Sequence, residues 1–289
     1  MARKRLVPFL LTFALAGGCQ HDAQWLLNVR NELPPTAIHG SIVKSGGWKD
    51  GWLVFHRGVI LCVDCSADQI PADAWKIEYS GFIYPGLIDT HNHPQSNFFP
   101  AWKPKRTFQN RYEWQAEADR RAKVQPILDR IRADGNSYVA LKYGEIRALI
   151  GGVTSVALPY SPPESRVLQR NLGSDYGVLS YARDVHGLEG PLLTEFIDGL
   201  GSGKISRIFF HVAEGTDQRS LDEFDVLKAK GLLREGSVII HGIPLGQKEF
   251  QAMSAAKVPF VWSPTSNLAL YGRTANVELA LQEHVTVAL

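Results

Sequence analysis

Two histidines, one residue apart, end a short apolar run near residue 90. The run reads P-G-L-I-D-T-H-N-H over residues 85–93. On a β-strand, side chains two positions apart point to the same face, so His91 and His93 project together. Neutral imidazoles are good ligands for zinc or iron. A bare H-x-H indicates little, but this one follows an apolar strand and therefore predicts part of a metal site.

A third histidine, His211, ends the apolar run Ile208-Phe209-Phe210, and Glu214 follows three residues later. A carboxylate at this place could take a proton from a metal-bound water and pass it to a leaving nitrogen. Taken alone, the motif is better explained by a core histidine followed by a surface glutamate.

A fourth histidine, His241, ends the run Val238-Ile239-Ile240, and a polar turn, S-P-T-S-N, follows another predicted strand over residues 263–267. One histidine at a strand end is usually structural. Four such histidines on three strands of one array are hard to assign to chance. The set therefore predicts one site assembled from several strand ends.

Two patterns of predicted secondary structure would position these residues. Residues 20–80 look all-β, with apolar stretches at Ile38–Val43, Trp52–Phe55 and Val59–Val63. Turns are predicted between them at residues 45–47 and 49–51. From Phe82 onward, short apolar strands alternate with helical stretches, which is typical of βα repeats and a parallel sheet.

The predicted fold is α/β, a (β/α)₈ TIM-like barrel, incomplete at its C-terminus, with a small N-terminal β-sandwich-like segment. Barrel active sites lie at the C-terminal ends of the strands. The clearest helix is predicted over Asn136–Ile150. The predicted strands are Gly86–His91, Val153–Leu158, Val167–Asn171, Gly177–Tyr181, Ile205–His211, Ser237–His241, Pro259–Ser263 and Val285–Leu289.

Together these motifs resemble the amidohydrolase superfamily, in its deaminase and chlorohydrolase-like branch, from about residue 38 to the end of the chain. The resemblance implies that His91, His93 and His211 bind one divalent metal ion, Zn²⁺ or alternatively Fe²⁺. It implies that Glu214 is the proton shuttle and that His241 polarises the scissile bond or orients the water. It also implies that the N-terminal segment is half of a β-sandwich.

The sequence departs from the family pattern at two places. No lysine ends the predicted strand Gly177–Tyr181, so the carbamylated lysine of two-metal members has no counterpart, which favours one metal. The family's last ligand is an aspartate that ends strand eight, and the strand predicted at Val285–Leu289 contains none. We therefore expect a fragment or a truncated product.

The sequence gives less information about the substrate. A loop rich in aromatic residues, Pro94–Trp114, either covers the pocket or packs its rings onto the barrel. Arg183 and His186 follow the fourth predicted strand, and Asn267 lies in the S-P-T-S-N turn. These three residues are candidates for contacts with a polar group of a small-molecule substrate.

The N-terminus has the pattern of an export signal. Arg3, Lys4 and Arg5 precede an apolar run, Leu6–Ala16, that is too short to span a bilayer comfortably. Cys19 follows small residues in a pattern that resembles a bacterial lipobox, where that cysteine is lipidated; an ordinary cleaved signal is the alternative. The predicted divisions are therefore a signal at 1–18, a β segment at 19–81 and a barrel at 82–289, in an exported periplasmic or outer-membrane protein.

The bulk composition excludes other classes. The chain of 289 residues has 31 Lys and Arg and 29 Asp and Glu, with no basic run beyond the N-terminus. This argues against nucleic acid as a partner, since such binding needs clustered positive charge. Besides Cys19, only Cys62 and Cys65 are present, as a disulfide or as two idle thiols, because a zinc site would need further ligands.

The sequence therefore predicts a metal-dependent hydrolase of non-peptide carbon–nitrogen bonds, with a lipid anchor as its only membrane contact. The alternative is a catalytically inactive, truncated envelope protein that retains the barrel. The sequence does not define an oligomeric state.

Overall fold

The computed structural model describes residues 33–98, 101–135, 137–157, 168–172, 179–182 and 184–289. Cys19, Arg183 and the predicted signal at 1–18 lie outside these residues. The chain divides into two compact units, the first ending at Pro85 and the second beginning at Gly86. Among the described residues, no helix has both the length and the apolar composition needed to cross a lipid bilayer.

The first unit contains a four-stranded sheet of order β3-β2-β1-β4. Both pairs of neighbours in β1–β2–β3 are antiparallel, whereas β1 and β4 run parallel. Ala37, Val54, Cys65 and Ile70 form its buried cluster. The strands are β1 (Thr36–Lys44), β2 (Gly47–His56), β3 (Val59–Cys65) and β4 (Trp75–Ile83), with a 3-10 turn at Ala67–Gln69.

The turn predicted at residues 49–51 is wrong, because this stretch lies inside β2. Lys49 pairs with Ile42, and Gly51 pairs with Gly40, in the long register between β1 and β2. The chain reverses between β1 and β2 at residues 45–46, within the other predicted turn, and between β2 and β3 at Arg57 and Gly58, whose φ angles are 52° and 78°. Two consecutive residues of this conformation are typical of a tight hairpin turn.

Cys62 and Cys65 are joined by a disulfide, with their Cα atoms 5.9 Å apart. Cys65 is buried in the cluster of the first unit. Of the two alternatives, the structure therefore contains the structural disulfide.

In the second unit, the described hydrogen bonds form two parallel sheets, of order β12-β11-β10-β9-β8 and β5-β6-β7. The strands are β5 (Leu87–Asp89), β6 (Val153–Val156), β7 (Arg170–Asn171), β8 (Leu179–Ala182), β9 (Arg207–Val212), β10 (Ser237–His241), β11 (Phe260–Val261) and β12 (Val287–Ala288). The predicted α/β class with parallel sheets is confirmed, and the strand Ser237–His241 has the predicted bounds.

Helices connect most of these strands. They are α1 (Arg111–Ala116), α2 (Ala118–Lys123), α3 (Gln125–Ala133), α4 (Ser137–Ile150), α5 (Gly190–Ser202), α6 (Gln218–Ala229), α7 (Gln247–Ala255), α8 (Pro264–Tyr271) and α9 (Val277–Gln282), with a 3-10 turn at Pro94–Ser96. The helix predicted at Asn136–Ile150 corresponds to α4, and Asn136 lies outside the described residues.

Local sequence signals fix the ends of the two helices that matter most for the site. Asp217 caps the start of α6, where its side chain accepts a hydrogen bond from the backbone N–H of Ser220 (2.9 Å). Helix α8 has proline at its first position, where no N–H partner is needed, and ends at Gly272 with φ 66°.

The strands β9 and β10 are buried on both faces, as expected for central strands of a parallel sheet. Ile208 and Phe210 pack in the hydrophobic cluster between the sheet and the helices. Phe209 points to the other side, where it packs with Val238 and Ile240. His211 follows this alternation and shares the face of Phe209.

Candidate metal centre

The first pair of histidines lies directly after β5. The carboxylate of Asp89 accepts hydrogen bonds from the backbone N–H of His91 (3.1 Å) and from Nδ2 of Asn92 (2.7 Å). Asn92 Oδ1 in turn accepts from the backbone N–H of His93 (2.7 Å). The Asp and Asn of the motif therefore shape the turn that presents both imidazoles.

Three imidazoles converge at the C-terminal ends of β5 and β9. Each of His91, His93 and His211 offers one nitrogen, and these atoms all lie within 4.8 Å of one another. His91 Nε2 and His211 Nε2 are 3.1 Å apart. Two nitrogens that share a tetrahedral zinc ion at roughly 2.0–2.1 Å are about 3.3 Å apart, so this pair fits one zinc ion closely.

Burial keeps two of these imidazoles neutral. It lowers the pKa of His91 to about 2, with repulsion from His241 and His93 adding to the effect. Burial also lowers the pKa of His211 well below its usual value, again reinforced by His241 and His91. Neutral imidazole is the form that binds a metal ion, so the site is prepared for one without first losing protons.

Ser263, the residue directly before α8, contacts the first of these imidazoles. Ser263 Oγ lies 3.1 Å from Nδ1 of His91. A hydrogen bond on this nitrogen fixes the ring orientation and directs Nε2 toward His211, as outer partners of metal-binding histidines commonly do.

His241 ends β10 beside this cluster, with its ring centroid 5.2 Å from that of His91 and 5.4 Å from that of His211. Its φ angle is 78°, a conformation that non-glycine residues rarely adopt outside special sites. Its Nε2 lies 3.6 Å from Oε2 of Glu214, and both side chains are buried.

Asn267 has a different place from the one that the sequence suggested. Its side chain is fully buried, and its Oδ1 accepts a hydrogen bond from Nδ1 of His241 (2.9 Å). The amide also donates to Oγ1 of Thr274 (3.5 Å). The side chain therefore lies behind His241, whose ring it orients, and its contact with a substrate stays a prediction.

Glu214 follows β9, and its carboxylate oxygen Oε1 is held by a pair of aromatic residues. Tyr271 contacts this oxygen directly, and Trp114 contacts Tyr271. The hydroxyl of Tyr271 donates to Oε1 of Glu214 (2.9 Å), and Trp114 Nε1 donates to the Tyr271 oxygen (2.8 Å). Asn267 and Tyr271 are four residues apart on α8, and therefore on one helix face. One face of α8 thus contacts both His241 and Glu214.

A buried ion pair braces the strand end that carries His211 and Glu214. Arg111 Nη1 donates to the backbone oxygen of His211 (2.9 Å), and its Nη2 lies 3.1 Å from Oε1 of Glu223. Glu223 Oε2 accepts from the backbone N–H of Ala213 (2.8 Å). Burial raises the pKa of Glu223, against the opposing charge of Arg111.

Sequence reasoning missed Arg111, Glu223, Tyr271 and Trp114. No local pattern pairs a charge in an aromatic loop with a helix residue more than a hundred positions later. Ser263 was inside a motif that we singled out, but its contact with His91 had no sequence signal.

The described part of the aromatic loop, Pro94–Trp114, packs onto the rest of the second unit. Phe108 is buried against Ile243 and Tyr271, with Trp102 and Trp114 beside them. His186 is exposed, and its backbone N–H donates to Asp184. Within the described residues, no hydrogen bond or ring contact joins His186 to the three converging imidazoles.

No protein-family model matches the chain. A curated relative, the 5-methylthioadenosine/S-adenosylhomocysteine deaminase of Natronomonas pharaonis, is 25% identical over 244 residues, which is 72% of this chain. The chain spans only 56% of the length of that relative.

Solved structures resemble the chain more extensively. Guanine deaminase of E. coli has a TM-score of 0.63 at 19% identity, covering 88% of this chain and 73% of the deaminase. A variant of the atrazine chlorohydrolase of Arthrobacter aurescens, crystallised with zinc and atraton, has a TM-score of 0.63 at 15% identity, covering 88% of this chain and 71% of that one.

Proposed function

Because the chain has the deaminase and chlorohydrolase-like fold of the amidohydrolase superfamily, we propose that it is a metal-dependent hydrolase of non-peptide carbon–nitrogen bonds in a small molecule. The observation that carries the proposal is the convergence of His91, His93 and His211 beside Glu214. The nucleobase and nucleoside deaminases among the similar proteins support a heterocyclic substrate with an amino group.

His91, His93 and His211 would hold one divalent metal ion, and the zinc in the similar chlorohydrolase favours Zn²⁺ over Fe²⁺. Three protein ligands are the usual number in a catalytic zinc site. When bound, such an ion supplies a nucleophile at neutral pH by lowering the pKa of water toward about 7.

Glu214 is the proposed proton carrier. As a carboxylate it accepts a proton from the attacking water, and as a carboxylic acid it donates that proton to the leaving nitrogen. His241, oriented by Asn267, presents Nε2 on the same side as Oε2 of Glu214. This nitrogen polarises the scissile bond or orients the water.

The two parallel sheets of the second unit are proposed to close into one (β/α)₈ barrel. In support, Oγ1 of Thr90, just after β5, donates to the backbone oxygen of Leu289, just after β12 (3.3 Å). Ala157, the residue directly after β6 of the smaller sheet, also packs in one cluster with Phe209 and Val261 of the larger one. A closed barrel would place every strand end of the site on one rim.

Export remains part of the proposal. The N-terminal charged and apolar pattern supports an exported protein, and Cys19 supports a lipid anchor. Mass spectrometry of the mature protein would detect cleavage before Cys19 and the lipid on its thiol.

The test of the function is to measure zinc per chain and the hydrolysis of a panel of aminated heterocycles and amides. His91→Ala and His211→Ala should lose both zinc and turnover, because each removes a ligand. Glu214→Gln should keep zinc and lose about 10²–10⁴-fold in turnover, because only proton transfer is removed.

A matched control is His284→Asn, at an exposed histidine that precedes β12. Asparagine tolerates the positive φ of this position (60°), so zinc content and turnover should both stay unchanged. Full zinc content in His91→Ala and His211→Ala would refute the metal centre. Zinc binding without turnover of any compound would favour the alternative of an inactive protein that retains the fold.

A further inference from the structure

We propose that Tyr271, held by Trp114, gives the two oxygens of Glu214 different tasks: Oε1 is a permanent hydrogen-bond acceptor, and Oε2 alone carries the transferred proton. The inference deepens the proposed function and rests on Glu214 as the proton carrier. Tyr271 is then a positioning residue, because it acts through Glu214.

The direction of the hydrogen bonds follows from the chemistry of the groups. An indole N–H can only donate, so the contact of 2.8 Å between Trp114 Nε1 and the Tyr271 oxygen uses that oxygen as an acceptor. The hydroxyl has one proton, and its other polar neighbour at hydrogen-bond distance among the described residues is Glu214 Oε1, at 2.9 Å. Tyr271 therefore donates to Oε1.

Burial keeps this arrangement in place. Tyr271 is 4% exposed and Glu214 is 6% exposed. Burial and the adjacent carboxylate both raise the pKa of Tyr271, so its hydroxyl keeps its proton. A proton on Oε1 would make this oxygen a poorer acceptor for the buried tyrosine hydroxyl, so protonation of Oε2 is favoured.

The other oxygen faces the reaction side of the site. Oε2 of Glu214 lies 3.6 Å from Nε2 of His241, whose ring lies against those of His91 and His211. The backbone of Glu214 is also held in place, because the N–H of Arg111 donates to its backbone oxygen (3.1 Å). Without the tyrosine hydroxyl, either oxygen could take the proton, and one of the two would face away from His241.

The experiment compares Tyr271→Phe, Trp114→Phe, Glu214→Gln and the double variant Tyr271→Phe/Glu214→Gln, in the zinc-loaded protein. Tyr271→Phe should lower kcat by about 10- to 100-fold, as expected for loss of a hydrogen bond to a charged group. KM should stay within about twofold, and zinc content should not change. Trp114→Phe should have a smaller effect in the same direction.

Two further readouts separate positioning from a merely structural role. The solvent deuterium isotope effect on kcat should rise in Tyr271→Phe, because proton transfer becomes slower. In the Glu214→Gln background, Tyr271→Phe should cause no further loss, since the group through which it acts is gone. Tyr143→Phe, a half-exposed tyrosine of α4, is the control and should behave as the unmodified protein.

An unchanged kcat in Tyr271→Phe, or an equal loss in the presence and absence of Glu214, would overturn the inference. A readout without substrate is the urea midpoint of Tyr271→Phe, Glu214→Ala and their combination. Additive shifts in the midpoint would show that the two side chains are not coupled, and they would overturn the inference as well. Coupled shifts in a protein that hydrolyses nothing would refute the proposed function and the proton-carrying role of Oε2, and only the hydrogen bond between Tyr271 and Glu214 would stand.

Discussion

Glu223→Ala should destabilise the protein severely, although Glu223 is not one of the converging side chains. The substitution removes the nearer carboxylate of Arg111, whose side chain is 4% exposed and whose guanidinium lies 3.1 Å from Glu223; a second carboxylate, Asp184, lies 3.7 Å away and is 48% exposed. It also removes the acceptor for the backbone N–H of Ala213, next to Glu214. The buried cation would keep only a half-exposed carboxylate, and the buried backbone donor would lose its acceptor.

The magnitude follows from the burial of both partners. Leaving one member of a buried pair without the other costs about 3–5 kcal/mol. Native proteins are stable by only about 5–15 kcal/mol, so the loss is a large fraction of the total. For a unit of about 200 residues, each kcal/mol lowers the melting temperature by about 2–4 °C, which predicts a fall of roughly 6–20 °C. Glu223→Gln, which keeps the shape and an acceptor oxygen, should cost less.

The assay is urea and thermal unfolding, followed by circular dichroism, with Glu235→Ala as the matched control. Glu235 lies at the same distance, 3.1 Å, from Lys257, but the two side chains are 67% and 74% exposed. Exposed pairs contribute about 0–1 kcal/mol, so this control should change little. Equal effects of Glu223→Ala and Glu235→Ala would refute the reasoning that burial decides the outcome.

Two further predictions concern the imidazoles. In the metal-free protein, the folded state resists protonation of His91 and His211, whereas the unfolded chain binds those protons below pH 6.5. The free energy of unfolding should therefore fall as the pH falls below 6.5, by up to about 1.4 kcal/mol per pH unit and imidazole. Urea unfolding in EDTA measures this, and a flat profile would contradict it. Asn267→Ala should cost about 1–3 kcal/mol in the same assay, because Nδ1 of His241 loses its buried acceptor; an unchanged midpoint would show that this contact contributes nothing.

The sequence predicted the positions of the site residues along the strands better than their partners. Apolar runs ending in histidine were sufficient to predict that His211 and His241 lie at strand ends, because burial on both faces leaves a continuous apolar pattern. The convergence of His91, His93 and His211 was likewise predictable, since parallel strands bring their C-terminal ends to one side. The roles of these residues in metal binding and catalysis stay predictions.

The features that the sequence did not predict depend on packing between distant segments. The strand β4 was not among the predicted strands, although residues 75–80 alternate between apolar and polar side chains, which is a strand signal. Its place in the sheet has no local signal, because its partner β1 lies 39–41 residues earlier. The turn predicted at residues 49–51 does not form, because pairing at nine positions between β1 and β2 outweighs the local preference of Asp and Gly for a turn. The contact between Asn267 and His241 had no sequence signal, because the S-P-T-S-N motif reads as a polar turn, whereas residues 264–271 form α8 and Asn267 is buried.

The same long-range contacts determine when the site can form during folding. The contacts that hold it together join residues 57, 100, 120, 157 and 172 positions apart. Such contacts form late, because the entropy of closing long loops must be overcome before they contribute. A chain emerging from the ribosome has His91 and His93 long before Ser263, Asn267 or Tyr271 exists to orient the site. A metal ion would therefore meet only two adjacent imidazoles early on, so it cannot template the fold, and its tight uptake would mark the end of folding.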